Sequence, residues 1–113
     1  MKEGKIGAIQ LSEVSPITIR HAAKVAKIDM VEAEISLSAT EVFENGVIET
    51  CGELGVPLVA HAPLGAGMLT GQIKSLDDMP ANDYHRFFPH FQLDNFETNL
   101  QLVAKLDEIS AKR

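Results

Sequence analysis

Three short apolar runs, KIGAIQL (5–11), MVEAEISL (30–37) and PLVAHA (57–62), set the frame of this 113-residue chain. They begin roughly 25 residues apart, and each is followed by a helical or loop segment. A strand–helix–strand repeat at that period specifies βα units and a parallel sheet. Two architectures satisfy it: a closed (β/α)8 barrel and an open, doubly wound sheet.

The segments between the runs carry their own punctuation. In SPITIRHAAKVAK, Ser15 is a good N-cap and Pro16 takes the first helical position, where its missing N–H costs nothing. In ENGVIETCGELG, Val47, Ile48, Cys51 and Leu54 fall on one helical face, and Gly55 fits the position just past the end. The third run leads into a glycine-rich loop within LVAHAPLGAGMLTGQI (58–73), then into a long irregular segment. A last helix is predicted to open at Asp94, where DNFE reads as a variant capping box with Glu97 reaching back. Its apolar face is Phe96, Leu100, Val103 and Leu106.

The middle run chooses between the architectures. Val31, Ala33, Ile35 and Leu37 alternate with Glu32, Glu34 and Ser36. A parallel strand covered by helices on both faces reads as a nearly continuous apolar run, so a polar row points to a face that looks into a lumen. Ser12 ends the first run and His61 lies near the end of the third, so polar groups gather at the same end of all three strands. In a (β/α)8 barrel that end is the catalytic mouth. The expected fold is therefore α/β, a partial (β/α)8 TIM barrel with parallel strands alternating with helices. A full barrel takes about 250 residues. Three of its strands leave two open edges and an uncovered inner face, so the chain is expected to be a fragment of a larger enzyme rather than a unit completed by association.

Composition narrows the partners. A net charge of −6 argues against nucleic acid and anionic membrane, both of which call for a basic face. The single Cys51 excludes an internal disulfide and suits a reducing compartment. No apolar run approaches the ~20 residues of a membrane span, and MKEGKIGAIQ lacks the apolar core of a secretory signal. A cytoplasmic location is the expectation.

Taken together, KIGAIQLSEVSPITIRHA, VEAEISLSATEVFENGVIETCGELGVPLVAHAPLGAGMLTGQI and DNFETNLQLVAKLDEIS resemble the aldo-keto reductase superfamily, and within it the fungal pyridoxal reductase-like branch. The resemblance covers nearly the whole chain in fixed order. The pairing of GKIGAI-LSEVS with PLGAGMLTG is what makes it specific. It implies that the runs are strands five, six and seven of the barrel, that Met1 to Gly4 end the fourth helix, and that residues 1–113 are a C-terminal-half segment of an NADP-dependent oxidoreductase domain. Such enzymes reduce aldehydes and ketones by hydride transfer from NADPH, using Tyr, Asp, Lys and His on the first four strands. No catalytic residue is therefore expected in this chain, and the clamp on the cofactor's 2′-phosphate, which follows strand eight, is not expected either.

The resemblance assigns residues to the cofactor bed one by one. Ser12 matches the Ser that hydrogen-bonds the nicotinamide carboxamide, and Glu13 stands where many members have Asn. Glu32 occupies the place of a Gln that also holds the carboxamide. His61 falls where a Tyr usually stacks on the ring, and Ala62 replaces a common Ser. Pro63, Leu64, Gly65 and Gly67 match the loop beneath the pyrophosphate, with Ala66 where Arg or Ser is frequent. Gln both donates and accepts, whereas an ionised Glu32 only accepts. Beside a positively charged ring it favours the oxidised cofactor. The implied cofactor is NADP(H), and the implied partner of the complete enzyme is a small aldehyde, pyridoxal or similar.

Each feature also has a plainer explanation. Ser12 starts a turn before Pro16, Glu32 and Glu34 suit a solvated strand face, a lone His on an apolar run suits a hydrogen-bonded core position, and PLGAGMLTG suits a flexible turn. His85 and His90 in DYHRFFPHF lack the carboxylate or thiol partners of a metal site. Phe87, Phe88 and Phe91 beside them are expected to pack on the barrel. Cys51 is expected in the core, His21 and Lys24 in solvent, and SLDDMP in a turn. Three functions follow in order: a reductase segment, inactive in isolation; a non-catalytic module that binds cofactor weakly or pairs through its open edges with itself or an intact homologue; and an independent small α/β domain without a site.

Overall fold

A computed structural model describes residues 3–112 and resolves two units, one ending at Pro63 and the other beginning at Leu64. The expectation for Met1 and Lys2 lies outside the described residues; Glu3 and Gly4, at its other end, lie in a turn and a bend.

The first unit is a β–α–β–α–β run. Its elements are β1 (Gln10–Ser12), α1 (Pro16–Val25), β2 (Met30–Glu34), α2 (Val47–Leu54) and β3 (Leu58–His61). The three strands form one parallel sheet in the order β1-β2-β3. The register pairs Leu11 with Val31 and Ser12 with Glu32 on one side, and Glu32 with Val59 and Glu34 with His61 on the other. Asp29 locks the entry to β2: its N–H donates to the Ile9 carbonyl at 2.9 Å, and its carboxylate accepts from the Ile9 N–H at 3.0 Å. A further bond from Lys27 and that Ile9 N–H hold the Asp29 carboxyl below its ordinary value.

The strands are shorter than the apolar runs. β1 begins at Gln10, because the KIGAI half of its run lies largely in solvent, and β2 ends at Glu34. Beyond Glu34 the alternation inverts: Ser36 is buried in an isolated antiparallel bridge with Ala39, while Leu37 turns outward. Within β2 the alternation holds, with Val31 and Ala33 buried and Met30, Glu32 and Glu34 half-buried.

The helices cover one face of the sheet. Ser15 caps α1 through the Thr18 N–H, and Pro16 opens it. Its buried Ile19 joins Ile28, Val31, Ala33, Val42, Val47 and Cys51 in a core on that side. The buried stripe of α2 is Val47, Thr50 and Cys51, so Ile48 and Leu54 do not share its inner face as expected. An eight-residue helix exposes most of its surface, and the i, i+3, i+4 set from Val47 is the narrow strip that meets the core. Gly55 ends α2 in the left-handed region at φ 64°, where a side chain would be strained. Burial raises the Cys51 thiol above its ordinary value, which keeps it protonated and unreactive at neutral pH.

The second unit holds four short 3₁₀ helices and α3 (Leu93–Ser110). Met68, Met79, Phe91 and Phe96 form its core, with Leu100 against them. Helix α3 starts one residue earlier than predicted, after Gln92, and no side chain caps it; the Asp94–Glu97 capping box does not form. A capping box does close at Ser75 and Asp78, in the stretch expected as a turn. The Lys74 and Ser75 N–H groups there lower the Asp78 carboxyl. Arg86 ties this segment together by donating to the carbonyls of Leu76, Met79 and Pro80. Phe91 is buried and Phe88 half-buried, but Phe87 is 83% exposed, so the aromatic run does not pack as a whole. Among the described residues, no helix is long and apolar enough to cross a membrane.

Candidate functional site

Opposite the helices, the sheet presents a polar face. Register partners in a parallel pair share a face, so Ser12, Glu32 and Val59 line up across it, and Glu34 and His61 follow two residues on. The structure thus brings Ser12, Glu32 and His61 to one surface, as the alternation in the middle run requires. His61 is 60% exposed at its side chain and is no core histidine.

Glu32 is the hub. Its Oε2 accepts a hydrogen bond from Gln10 Nε2 at 2.6 Å, and its Oε1 lies 3.6 Å from His61 Nδ1. The first is a short, charge-assisted bond; the second is a longer approach that becomes an ion pair only when the imidazole is protonated. Gln10 is absent from the residues picked out of the sequence. The signal was available: it sits two residues before Ser12, and period-two alternation puts both on one face.

Glu13, next to Ser12, has a different task. Its backbone sits in the left-handed region at φ 51°, its N–H donates to the Glu32 carbonyl at 3.0 Å, and its carboxylate accepts from the Glu34 N–H. That conformation suits Asn better than Glu, because a short polar side chain tolerates the left-handed region. Glu13 therefore closes the ends of β1 and β2. Beyond that end is an open cavity of about 470 Å³ lined by Glu13, Ser15, Glu34, Glu41 and Asn45 among others. Neither Ser12 nor Glu32 nor His61 lines it.

The loop that follows β3 crosses from the first unit into the second. Ala62 is left-handed at φ 45°, Pro63 is exposed, and Gly65, Ala66 and Gly67 are left-handed in succession at 57°, 52° and 94°. Gly67 needs glycine for that angle rather than for space, because an added Cβ would meet only the tip of Ile73 at 3.9 Å. The N–H groups of Gly67 and Leu69 both donate to the Leu64 carbonyl, and that of Met68 to Gly65. The loop is thus a hydrogen-bonded turn. Leu64 is exposed, whereas Gly65 is buried, so the four loop residues picked out of the sequence differ in what they offer a ligand.

The polar sheet face carries three kinds of polar group. It offers a hydroxyl, a fixed carboxylate acceptor and an exposed flat imidazole. The loop brings three left-handed residues together in succession, with the Gly67 N–H already bonded within the turn. Elsewhere, His85 Nδ1 bonds Asp83 at 2.7 Å in a local turn, and the His85 contacts hold the Asp83 carboxyl below its ordinary value. Among the described residues, no three His, Cys, Asp or Glu side chains gather as a metal site would need.

Comparison with known proteins gives the chain's family and fold. The model of the Aldo/keto reductase family matches residues 1–113. The chain is 44% identical to an aldo-keto reductase of Schizosaccharomyces pombe, yakc [NADP(+)], over 97% of its own length and 33% of that protein. It is 40% identical to a Saccharomyces cerevisiae protein named "Putative pyridoxal reductase", over 96% of its length and 32% of the relative. In structure it matches a glycerol dehydrogenase from Gluconobacter oxydans with a TM-score of 0.85 at 24% identity, across 99% of this chain and 34% of the other. The chain spans about a third of the length of the curated relatives it matches. Its parallel strands and helices correspond to a portion of a TIM barrel.

Proposed function

This chain belongs to the aldo/keto reductase family, and from that premise we propose that it supplies part of the NADP(H) bed of a reductase that converts an aldehyde of the pyridoxal type to its alcohol. The observation that carries the reading is the shared polar face of Ser12, Glu32 and His61 on three parallel strands. Bound NADPH supplies the hydride, and the protein supplies orientation. Ser12 and Glu32 hold the carboxamide of the nicotinamide, and the exposed His61 ring covers its flat face. Pro63, Leu64, Gly65 and Gly67 form the turn offered to the pyrophosphate, with Pro63 and Leu64 exposed. The free Cys51 thiol fits a reducing, cytoplasmic setting.

On this reading the Tyr, Asp, Lys and His that carry proton transfer lie on other strands, so the bed alone performs no reduction. The purified 113-residue chain, mixed with NADPH and pyridoxal, is expected to consume no cofactor above the rate of a protein-free control. Sustained turnover would overturn the assignment of the chemistry to other strands.

A second reading has its own support. Among the described residues, β1 and β3 each pair only with β2, so the sheet has two open edges. Open edges template pairing with another chain, and the occupant is a second copy of this chain or an intact homologue. Gel filtration of the chain alone and mixed with an intact reductase tests it: co-elution or a dimer supports association, and a solitary monomer in both runs removes it.

A further inference from the structure

We propose that Gln10 is a positioning residue of the nicotinamide bed, and that through Glu32 it makes the bed selective for a ring bearing an uncharged carboxamide over one bearing a carboxylate. The inference rests on the cofactor reading given above. Gln10 and Ser12 lie two residues apart on β1, on the same face, and Ser12 is the register partner of Glu32. The Gln10 amide reaches diagonally to Glu32 Oε2 at 2.6 Å. That bond occupies one carboxylate oxygen and turns the other, Oε1, toward β3, where His61 Nδ1 stands 3.6 Å away.

The chemistry of the two partners decides what the bed accepts. An ionised carboxylate has only acceptor sites, so Oε1 takes an amide N–H and repels an oxyanion. The neutral Gln10 amide fixes Glu32 without cancelling its charge, which a Lys or Arg in its place would do. Glu34, the register partner of His61, is a second carboxylate on the same face and adds to the repulsion. Gln10 therefore acts through Glu32.

Calorimetric titration of the 113-residue chain with NADP+ and with its nicotinic acid analogue, which carries a carboxylate in place of the carboxamide, tests this. Wild type should prefer NADP+ by at least about tenfold, the low end for a hydrogen bond to a charged group. Glu32→Gln should bring the two affinities within about threefold. Gln10→Leu, at an exposed position, should cut the preference by about threefold or more, a ratio that a merely structural role would leave unchanged. The exchange Gln10→Glu with Glu32→Gln keeps a donor and an acceptor facing each other. It should recover NADP+ affinity relative to Gln10→Leu without recovering the preference. NADP+ binding with no preference in wild type, or a preference unmoved by Gln10→Leu, overturns the role of Gln10 and leaves the cofactor bed standing. Failure of both ligands to bind overturns the bed, and this inference with it.

Discussion

Asp29 shows how one side chain sets the register on which the polar face depends. Its carboxylate receives Lys27 and the Ile9 N–H, and both hold its ionisation below the ordinary carboxylate value. A carboxyl lowered on folding contributes stability that is present above about pH 4 and lost as pH falls through the lowered folded value. Asp78 and Asp83 are lowered as well, by local N–H donors. Both units should therefore lose stability as pH falls below about 4, and Asp29→Asn should be less stable at neutral pH with a shallower acid limb. Circular dichroism between neutral pH and strong acid reads both effects; an Asp29→Asn limb identical to wild type contradicts the assignment. The completely buried Ile19 gives a second residue-scale expectation: Ile19→Ala should cost about 2–5 kcal/mol in denaturant unfolding. The residues of the polar face were legible because Glu32 and Glu34 interrupt apolar neighbours with period two. Glu13 was not, because nothing in LSEVS announces a left-handed backbone or a carboxylate turned onto the Glu34 N–H.

Among the elements, α1 is the most plainly written. Its cap and its opening proline are adjacent letters, and both do in the structure what they promise in sequence. Ser15→Ala should lower stability by about 1 kcal/mol through the lost Thr18 N–H acceptor, read as a shift in the urea midpoint at constant slope. Ser15→Asp, which keeps an acceptor, should restore most of it. The strand ends were less legible. Apolar runs mark where a strand is permitted, but pairing decides where it stops, and the Ser36–Ala39 bridge turns the chain before the run is spent. Helix α3 makes the same point at its start. DNFE has the letters of a capping box, yet helical bonds from Asn95 and Phe96 back to Gln92 place those letters inside the first turn. On α2, four apolar residues suit one helical face by pattern, and the width of the contact admits only Val47 and Cys51 of them.

At the scale of the molecule, a parallel sheet with helices on one face and polar side chains near its strand ends fits strands at the mouth of a (β/α)8 barrel. The match to a third of a glycerol dehydrogenase chain agrees with it. Both the polar row in the middle run and the spacing of the runs carried that architecture in the sequence. What they did not carry is the division at Pro63, since the second unit builds its own core by setting Phe96 of α3 against Met68, Met79 and Phe91, three residues spread through a segment with no period to read. The central claim is that Ser12, Glu32 and His61 together receive a nicotinamide ring. NADP+ titrated into the isotope-labelled 113-residue chain and followed by NMR tests it most directly. The account predicts that the largest shifts fall on the Ser12, Glu32 and His61 resonances and on those of Gln10 beside them. A saturating titration that leaves these four unmoved, or that shifts a different surface of the first unit, contradicts it.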